Sequence, residues 1–157
     1  DYLKGGTFLL AGILTDSEIT IKNIVQDHLD SFLEKLKECG AEFVIDTKTN
    51  EIHTKKRKQE FHATKIQTGV FPKFPTDLHP QFGVFMTQCE GESQIFETLF
   101  ERKFAYLLEL EKMGAQVEIR NPHQFFLRGK TELIGAPIAS QDIRAGAAMI
   151  LAALIAK

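Results

Sequence analysis

The stretch Phe71-Pro-Lys-Phe-Pro-Thr-Asp-Leu-His-Pro-Gln81 is the point from which the rest of the chain is best understood. Pro72 and Pro75 fix their own φ and push the residue before each out of the helical region, which predicts a rigid, extended approach. Thr76 and Asp77 then offer side-chain oxygens where an apolar run at helical spacing begins, with Leu78, Phe82, Phe85 and Met86. That pattern is an N-cap and a helix start. A carboxylate at such a partly positive helix end is favoured in its ionised form. Two readings follow from these residues alone. Asp77 or Thr76 simply caps the helix, which is the plainer reading, or the proline-braced Asp77 carboxylate points at a ligand.

Downstream of this stretch the spacing predicts a helix from Asp77 to about Cys89 and a strand over Ser93 to Thr98. A second helix follows from about Lys103 to Met113, ended by Gly114, and then strands at Gln116 to Arg120 and Gln124 to Arg128, turning near Asn121-Pro122. A short strand near Leu133 leads to Ala136-Pro137, and a last helix starts at Asp142. Upstream, Gly5 to Leu14 reads as a short buried helix, and Glu18 to Lys22 as a strand with Ile19 and Ile21 on one face. Gln26 to Cys39 is an amphipathic helix whose stripe is Leu29, Phe32, Leu33 and Leu36, stopped by Gly40. Glu42 to Asp46 and Glu51 to Lys55 are strands around a Lys48-Thr49-Asn50 turn, and Ala63 to Gln67 is a further short strand.

This order repeats at an offset of 74 residues: Leu33 overlays Leu107, Leu36 overlays Leu110, Gly40 overlays Gly114 and Ala41 overlays Ala115. At the same offset Ile21 meets Ile95 and Phe8 meets Phe82, and Thr76-Asp77-Leu78 matches Gln141-Asp142-Ile143 further on. The expected organisation is one partial lobe over 1–157, with a first repeat unit at 1–68, a second at 69–135 and the start of a third at 136–157. The opening helix of each unit is apolar nearly all round, so it belongs at the centre with amphipathic helices and sheets outside. The fold class is therefore α/β (α+β), in βαβαββ-like repeats with central helices and outer sheets.

Composition agrees with a globular body. The chain has 157 residues, 43% apolar and 25% charged, and a formal net charge of −2, which gives no global basic field for nucleic acid. The local run Lys55-Lys56-Arg57-Lys58 lies between strand-like segments without an aromatic residue and reads as a solvated loop or hairpin. Cys39 and Cys89 lack metal-type spacing, fall in helical patterns, and read as free buried or half-buried thiols of a reducing compartment. The apolar run Ala145 to Ala156 is too short to span a bilayer and reads as a core helix. The chain starts at Asp1 without Met and stops at Lys157 inside that last helix, as expected of a piece of something longer.

Several phrases carry a specific resemblance: Gly6-Thr7-Phe8-Leu9, Phe74-Pro75-Thr76-Asp77-Leu78, Gln81-Phe82, Glu97-Thr98-Leu99-Phe100-Glu101, Met113-Gly114-Ala115 and Asp142-Ile143-Arg144-Ala145. Across essentially its whole length the chain resembles the larger part of one lobe of the UDP-N-acetylglucosamine enolpyruvyl transferases. The shikimate-pathway enolpyruvyl transferases share the repeat but differ at these phrases, and rank second. A non-catalytic repeat or binding module is the third reading.

The resemblance implies a lobe of a two-lobed, cytoplasmic, inside-out α/β barrel enzyme. It would move enolpyruvate from phosphoenolpyruvate to the 3-hydroxyl of UDP-N-acetylglucosamine, the committed step toward peptidoglycan, without a cofactor, a membrane or a nucleic acid. Asp77 matches the carboxylate that binds that hydroxyl and takes its proton, and Leu99 a position that contacts the sugar nucleotide through its main chain. Asp142 and Arg144 match an Asp and an Arg of the cleft, where a guanidinium helps hold a phosphate or carboxylate. Read without the resemblance, Asp142 is an N-cap and Arg144 a solvated side chain.

Two departures stand out. Arg102-Lys103 replaces the family's Asn-Arg, so Lys103 keeps a substrate-facing charge but loses the planar fork. Tyr2 follows Asp1 where the family has Asp-Arg. The resemblance puts the mobile loop with its Cys or Asp, the Lys-Asn pair and several phosphate-binding Arg on the missing second lobe or beyond these ends, so neither cysteine here matches the loop. His79 lies close to Asp77 in sequence but on another helix face, and His28, His53, His62 and His123 form no ligand pattern. A helix of the third unit left without its neighbours is expected to expose apolar surface around Ala148 to Ile155 and to associate.

Overall fold

Helices apolar on every side must be surrounded, and the chain supplies such helices to the middle of the molecule. The computed structural model describes residues 1–140 and 142–157, so the repeat match at Gln141 lies outside the described residues. α1 (Tyr2–Leu14) starts at Asp1, whose carboxylate accepts from the Leu3 amide at 2.9 Å. α2 (Asp30–Glu38) is the amphipathic helix, burying Phe32, Leu33 and Leu36. α3 (His79–Met86) is buried at all of its residues, and α1 and α5 (Ile143–Ile155) both pack on it. α4 (Ala105–Lys112) lies outside, against α3 and α5. Gly40 and Gly114 close α2 and α4 with φ of +87° and +96°, a backbone that a residue without Cβ adopts freely.

The first sheet is antiparallel, β1 (Thr20–Lys22), β2 (Phe43–Asp46) and β3 (Glu51–Thr54), with β3 in the middle. The second contains β4 (Phe61–His62), β5 (Lys65–Gln67), β6 (Cys89–Phe96), β7 (Gln116–Asn121) and β8 (Gln124–Gly129). Its centre is β6, antiparallel to β8 and parallel to both β4 and β5. Central helices and outer sheets make this an α/β fold of the expected kind. Between them an aromatic cluster is continuous: Phe82 lies 5.7 Å from Phe32, 5.1 Å from Phe74 and 5.3 Å from Phe85, centroid to centroid. Phe74 carries the Pro-rich stretch into this core, which fixes where Asp77 emerges.

Several local expectations are corrected. The helix after Pro75 opens as a 3-10 turn, Thr76–Leu78, with no side-chain cap, and ends at Met86. The approach is not extended throughout, because the Lys73 amide closes a turn on the Val70 carbonyl at 3.1 Å. Cys89 opens β6 rather than closing a helix; pairing with Phe61 outweighs the apolar helical period. The Gln26 to Cys39 helix also starts as a 3-10 turn, Gln26–His28, and the Ala63 to Gln67 strand is shortened to β5, with the unexpected β4 just before it. No strand forms near Leu133, where one hydrogen bond from Ile134 to Met113 and a reciprocal pair, Lys157 to Leu133 and Gly135 to Lys157, replace a ladder. The last helix ends at Ile155, so Lys157 lies outside it. Cys39 and Cys89, far apart in sequence, are both buried, and the neighbouring Cys39 thiol together with burial pushes the Cys89 thiol up. The basic run 55–58 is an exposed loop, as expected. Among the described residues no helix is long and apolar enough to cross a membrane.

One buried carboxylate ties the second sheet to the Pro-rich stretch. Glu97, just past β6, is fully buried. Its Oε1 accepts from the Thr68 hydroxyl at 2.8 Å and from the amides of Leu99 and Phe100 at 3.0 and 3.3 Å. Its Oε2 accepts from the Thr76 hydroxyl at 2.8 Å and from His79 Nδ1 at 3.0 Å. Burial raises the Glu97 pKa, but the donors His79, Thr68, Thr76 and Leu99 outweigh it and pull it down to about 2. Burial lowers the His79 pKa despite the opposing pull of Glu97.

Both shifts cost stability in acid. The unfolded chain takes up a proton at the histidine below an ordinary pKa of 6.5 and at the glutamate below 4.5, while the folded state resists both. Stability present at neutral pH therefore falls as pH drops through 6.5, and again from 4.5 toward 2, with Glu97 worth on the order of 3 kcal/mol. Circular-dichroism melts from pH 7 to 3 should show Glu97→Gln lowering Tm at pH 7 and flattening the decline below pH 4.5; an equally steep decline would contradict this.

The expected apolar exposure falls on particular residues. Ala148, Met149, Leu151 and Ala152 are buried, whereas Ile143, Ile150 and Leu154 form an exposed stripe on α5, with Phe8 exposed on α1. At micromolar concentration the chain should self-associate through this face. The double variant Ile150→Glu/Leu154→Lys should elute as a smaller species in gel filtration, and an unchanged elution volume would exclude this face as the contact.

Candidate active site

The site forms where the 3-10 turn before α3, the loop after β6 and the start of α5 converge. Asp77 stands on that turn with its side chain 26% exposed. Its Oδ1 is ion-paired with Arg144, 3.0 Å from Nε, and lies 3.7 Å from Lys103 Nζ. Asp77 is therefore no cap: Pro75 and Leu78 precede the turn and the helix without a side-chain hydrogen bond, and Thr76 is committed to Glu97. Asp77 borders two openings. One, about 390 Å³, is edged by Tyr2, His28, Phe71 and Lys73; the other, about 290 Å³, by Lys4, Thr7, Gln81 and Arg144.

Lys103 is the better buried of the two cations, with its side chain only 10% exposed. Its ammonium donates to the Thr76 carbonyl and hydroxyl, each at 2.9 Å. Burial lowers its pKa, while Glu97 and Asp77 oppose that change and Arg144 adds to it. A single point charge thus makes contacts that suit Lys better than a planar fork. Arg102 just before it holds φ of +57°, the left-handed region that Asn tolerates best among residues with a Cβ. That backbone demand gives the family's Asn at this place a physical reason.

The other sequence-derived residues divide. Arg144, 44% exposed, pairs with Asp77 through Nε and borders the smaller opening, so it is more than a solvated side chain. Asp142 is the N-cap of α5: its carboxylate accepts from the Arg144 amide at 2.8 Å. It borders a third cleft of about 310 Å³, shared with Lys103, Tyr106 and Ser140, and not the two openings at Asp77. Leu99 is 41% exposed on the loop after β6. Its amide is taken by Glu97 at 3.0 Å, so the main-chain group left for a ligand is its carbonyl.

Two residues that sequence reasoning passed over bear on this site. Glu97 has no role in the sequence reading and Thr76 none beyond a candidate cap; the spacing between their two phrases is the one sequence signal that links them. His79 is wholly buried, stacked on Phe125 at 5.9 Å and held by Glu97, so its ring is turned from the openings. Among the described residues no group of His, Cys, Asp and Glu is arranged to hold a metal ion.

The chain is similar to known proteins over its whole length. The sequence is 40% identical to the UDP-N-acetylglucosamine 1-carboxyvinyltransferase of Helicobacter pylori (strain ATCC 700392 / 26695), over all of this chain and 36% of that protein. It is 39% identical to the protein of the same name from Hydrogenovibrio crunogenus, over all of this chain and 37% of that protein. The chain thus spans little more than a third of the length of these curated relatives. The enolpyruvyl transferase NikO from Streptomyces tendae has the same fold, with a TM-score of 0.89 over 99% of this chain and 37% of that one at 21% identity. The model of the family described as EPSP synthase (3-phosphoshikimate 1-carboxyvinyltransferase) matches residues 1–157, and the chain belongs to that family.

Proposed function

We propose that this chain is part of a UDP-N-acetylglucosamine 1-carboxyvinyltransferase, contributing one wall of a cleft that a second lobe completes. The carrying observation is the exposed face of Asp77, a carboxylate set beside two cations at the mouth of two openings. A sugar hydroxyl is a poor nucleophile at neutral pH. A carboxylate within hydrogen-bond reach takes its proton as the oxygen attacks C2 of phosphoenolpyruvate. C3 gains a proton in that addition and loses one when phosphate leaves, which restores the double bond in the product. Asp77 is the base, Arg144 and Lys103 hold the anionic groups, the Leu99 carbonyl receives a donor of the sugar nucleotide, and Asp142 sets the start of α5 that carries Arg144.

Relatives named for UDP-N-acetylglucosamine, matched over the full chain, favour this acceptor over shikimate 3-phosphate. The activity belongs to peptidoglycan precursor synthesis and, with it, to the cytoplasm, cell shape and division. On this reading the 157 residues, matched to little more than a third of each relative, are inactive without the rest of such a protein. We read them as one partial lobe of three units, 1–68, 69–135 and 136–157, in keeping with the order of helices and strands.

In the full-length protein, Asp77→Asn should reduce turnover by about 10²–10⁴-fold. Its effect on stability should stay within about 1 kcal/mol, because the ion pair with Arg144 is partly exposed. Turnover at the wild-type rate would remove Asp77 as the base, and transfer to shikimate 3-phosphate but not to UDP-N-acetylglucosamine would reassign the acceptor. Arg144→Lys loses the fork and should raise KM for phosphoenolpyruvate by about tenfold. An unchanged KM would take Arg144 out of the anion site.

A further inference from the structure

The buried carboxylate of Glu97 faces two ways. Oε1 gathers the Leu99–Phe100 amides and Thr68, and Oε2 gathers Thr76 and His79, the residues on either side of the Asp77–Leu78 step. A carboxylate can only accept, so the direction of each hydrogen bond is settled. The Thr76 hydroxyl gives its one proton to Glu97, and its lone pairs are left to receive the Lys103 ammonium. His79 carries its proton on Nδ1, and among the described residues its buried Nε2 has no partner. The result is a one-way chain, from Lys103 Nζ to Thr76 Oγ1 to Glu97 Oε2, in which each bond polarises the next.

We propose that the Thr76 hydroxyl, pinned between buried Glu97 and Lys103, is a positioning device for the Asp77 carboxylate. The inference rests on the reading of Asp77 as the base. The backbone before Asp77 is anchored twice, at the Thr76 carbonyl by Lys103 and at its hydroxyl by Glu97; the backbone after it is anchored by His79. Both cation contacts of Asp77 fall on Oδ1, and the residue borders both openings, so the set of the turn decides how its carboxylate meets a ligand. Loosening the pin deletes no group that touches substrate, and Lys103 keeps its bond to the Thr76 carbonyl, but the Asp77 carboxylate is free to drift. Displacement of a reacting group by about 1 Å costs up to about 10²-fold in rate.

The test uses the full-length enzyme and separates kcat from KM. Thr76→Val keeps the shape and deletes the hydroxyl, and should lower kcat roughly 10-fold to 10²-fold while both KM values stay within about threefold. Thr76→Ser, which restores the donor, should recover most of that loss. Thr76→Ala should match Thr76→Val, which keeps the result readable if Val disturbs the turn. Wild-type kcat in both Val and Ala variants, or a Ser variant as slow as the Val variant, overturns the proposal. So does a defect confined to KM. Asp77→Asn run alongside separates the two ideas. If it retains activity, the base assignment fails; if it is inactive while Thr76→Val is fully active, only the pin fails.

Discussion

A charge without water must be given donors by the protein itself, and Glu97 is where this fold meets that demand. Hydroxyls, amides and an imidazole converge on its two oxygens from the end of β5, the loop after β6 and the turn before α3. Removing any one donor leaves a buried carboxylate short, which is far costlier than the loss of a surface bond. The arrangement therefore holds three segments in one register.

The site inherits its geometry from that register. Asp77 would otherwise sit on a short turn between a proline and a helix, with nothing local to aim it. Arg144 comes from α5, which is packed against α3 along its buried face, and Lys103 comes from a loop set by a left-handed residue. Three elements far apart in sequence thus bring two cations to one carboxylate oxygen. The central helices provide the rigidity: α3 is buried throughout, so the turn at its start cannot tilt without disturbing the phenylalanine cluster beneath it.

Membership of the EPSP synthase family and the length of the relatives put this chain in context. It spans little more than a third of those proteins, and its two openings at Asp77, about 390 and 290 Å³, are open to the surface. A wall of this kind binds poorly alone, since a ligand held from one face keeps much of its water. The exposed stripe of Ile143, Ile150 and Leu154 on α5 is consistent with a helix made to be covered.

The sequence alone determined the alternation of helices and strands, the stops at Gly40 and Gly114, and the hairpins around Asn50 and Pro122, because these depend on local periodicity and backbone freedom. It also named Asp77, Arg144 and Lys103, through phrases whose wording resembles a known family. It misjudged Cys89, which follows a helical period but opens a strand, because pairing with Phe61 is a contact no local pattern contains. It left Asp77 open between cap and ligand group and offered Thr76 as a cap. Only the tertiary structure excludes the cap, since the Thr76 hydroxyl turns to a buried carboxylate 21 residues away and Asp77 to a guanidinium on α5. A side chain's partner is set by what the fold brings within about 3 Å, and spacing along the chain does not encode that distance.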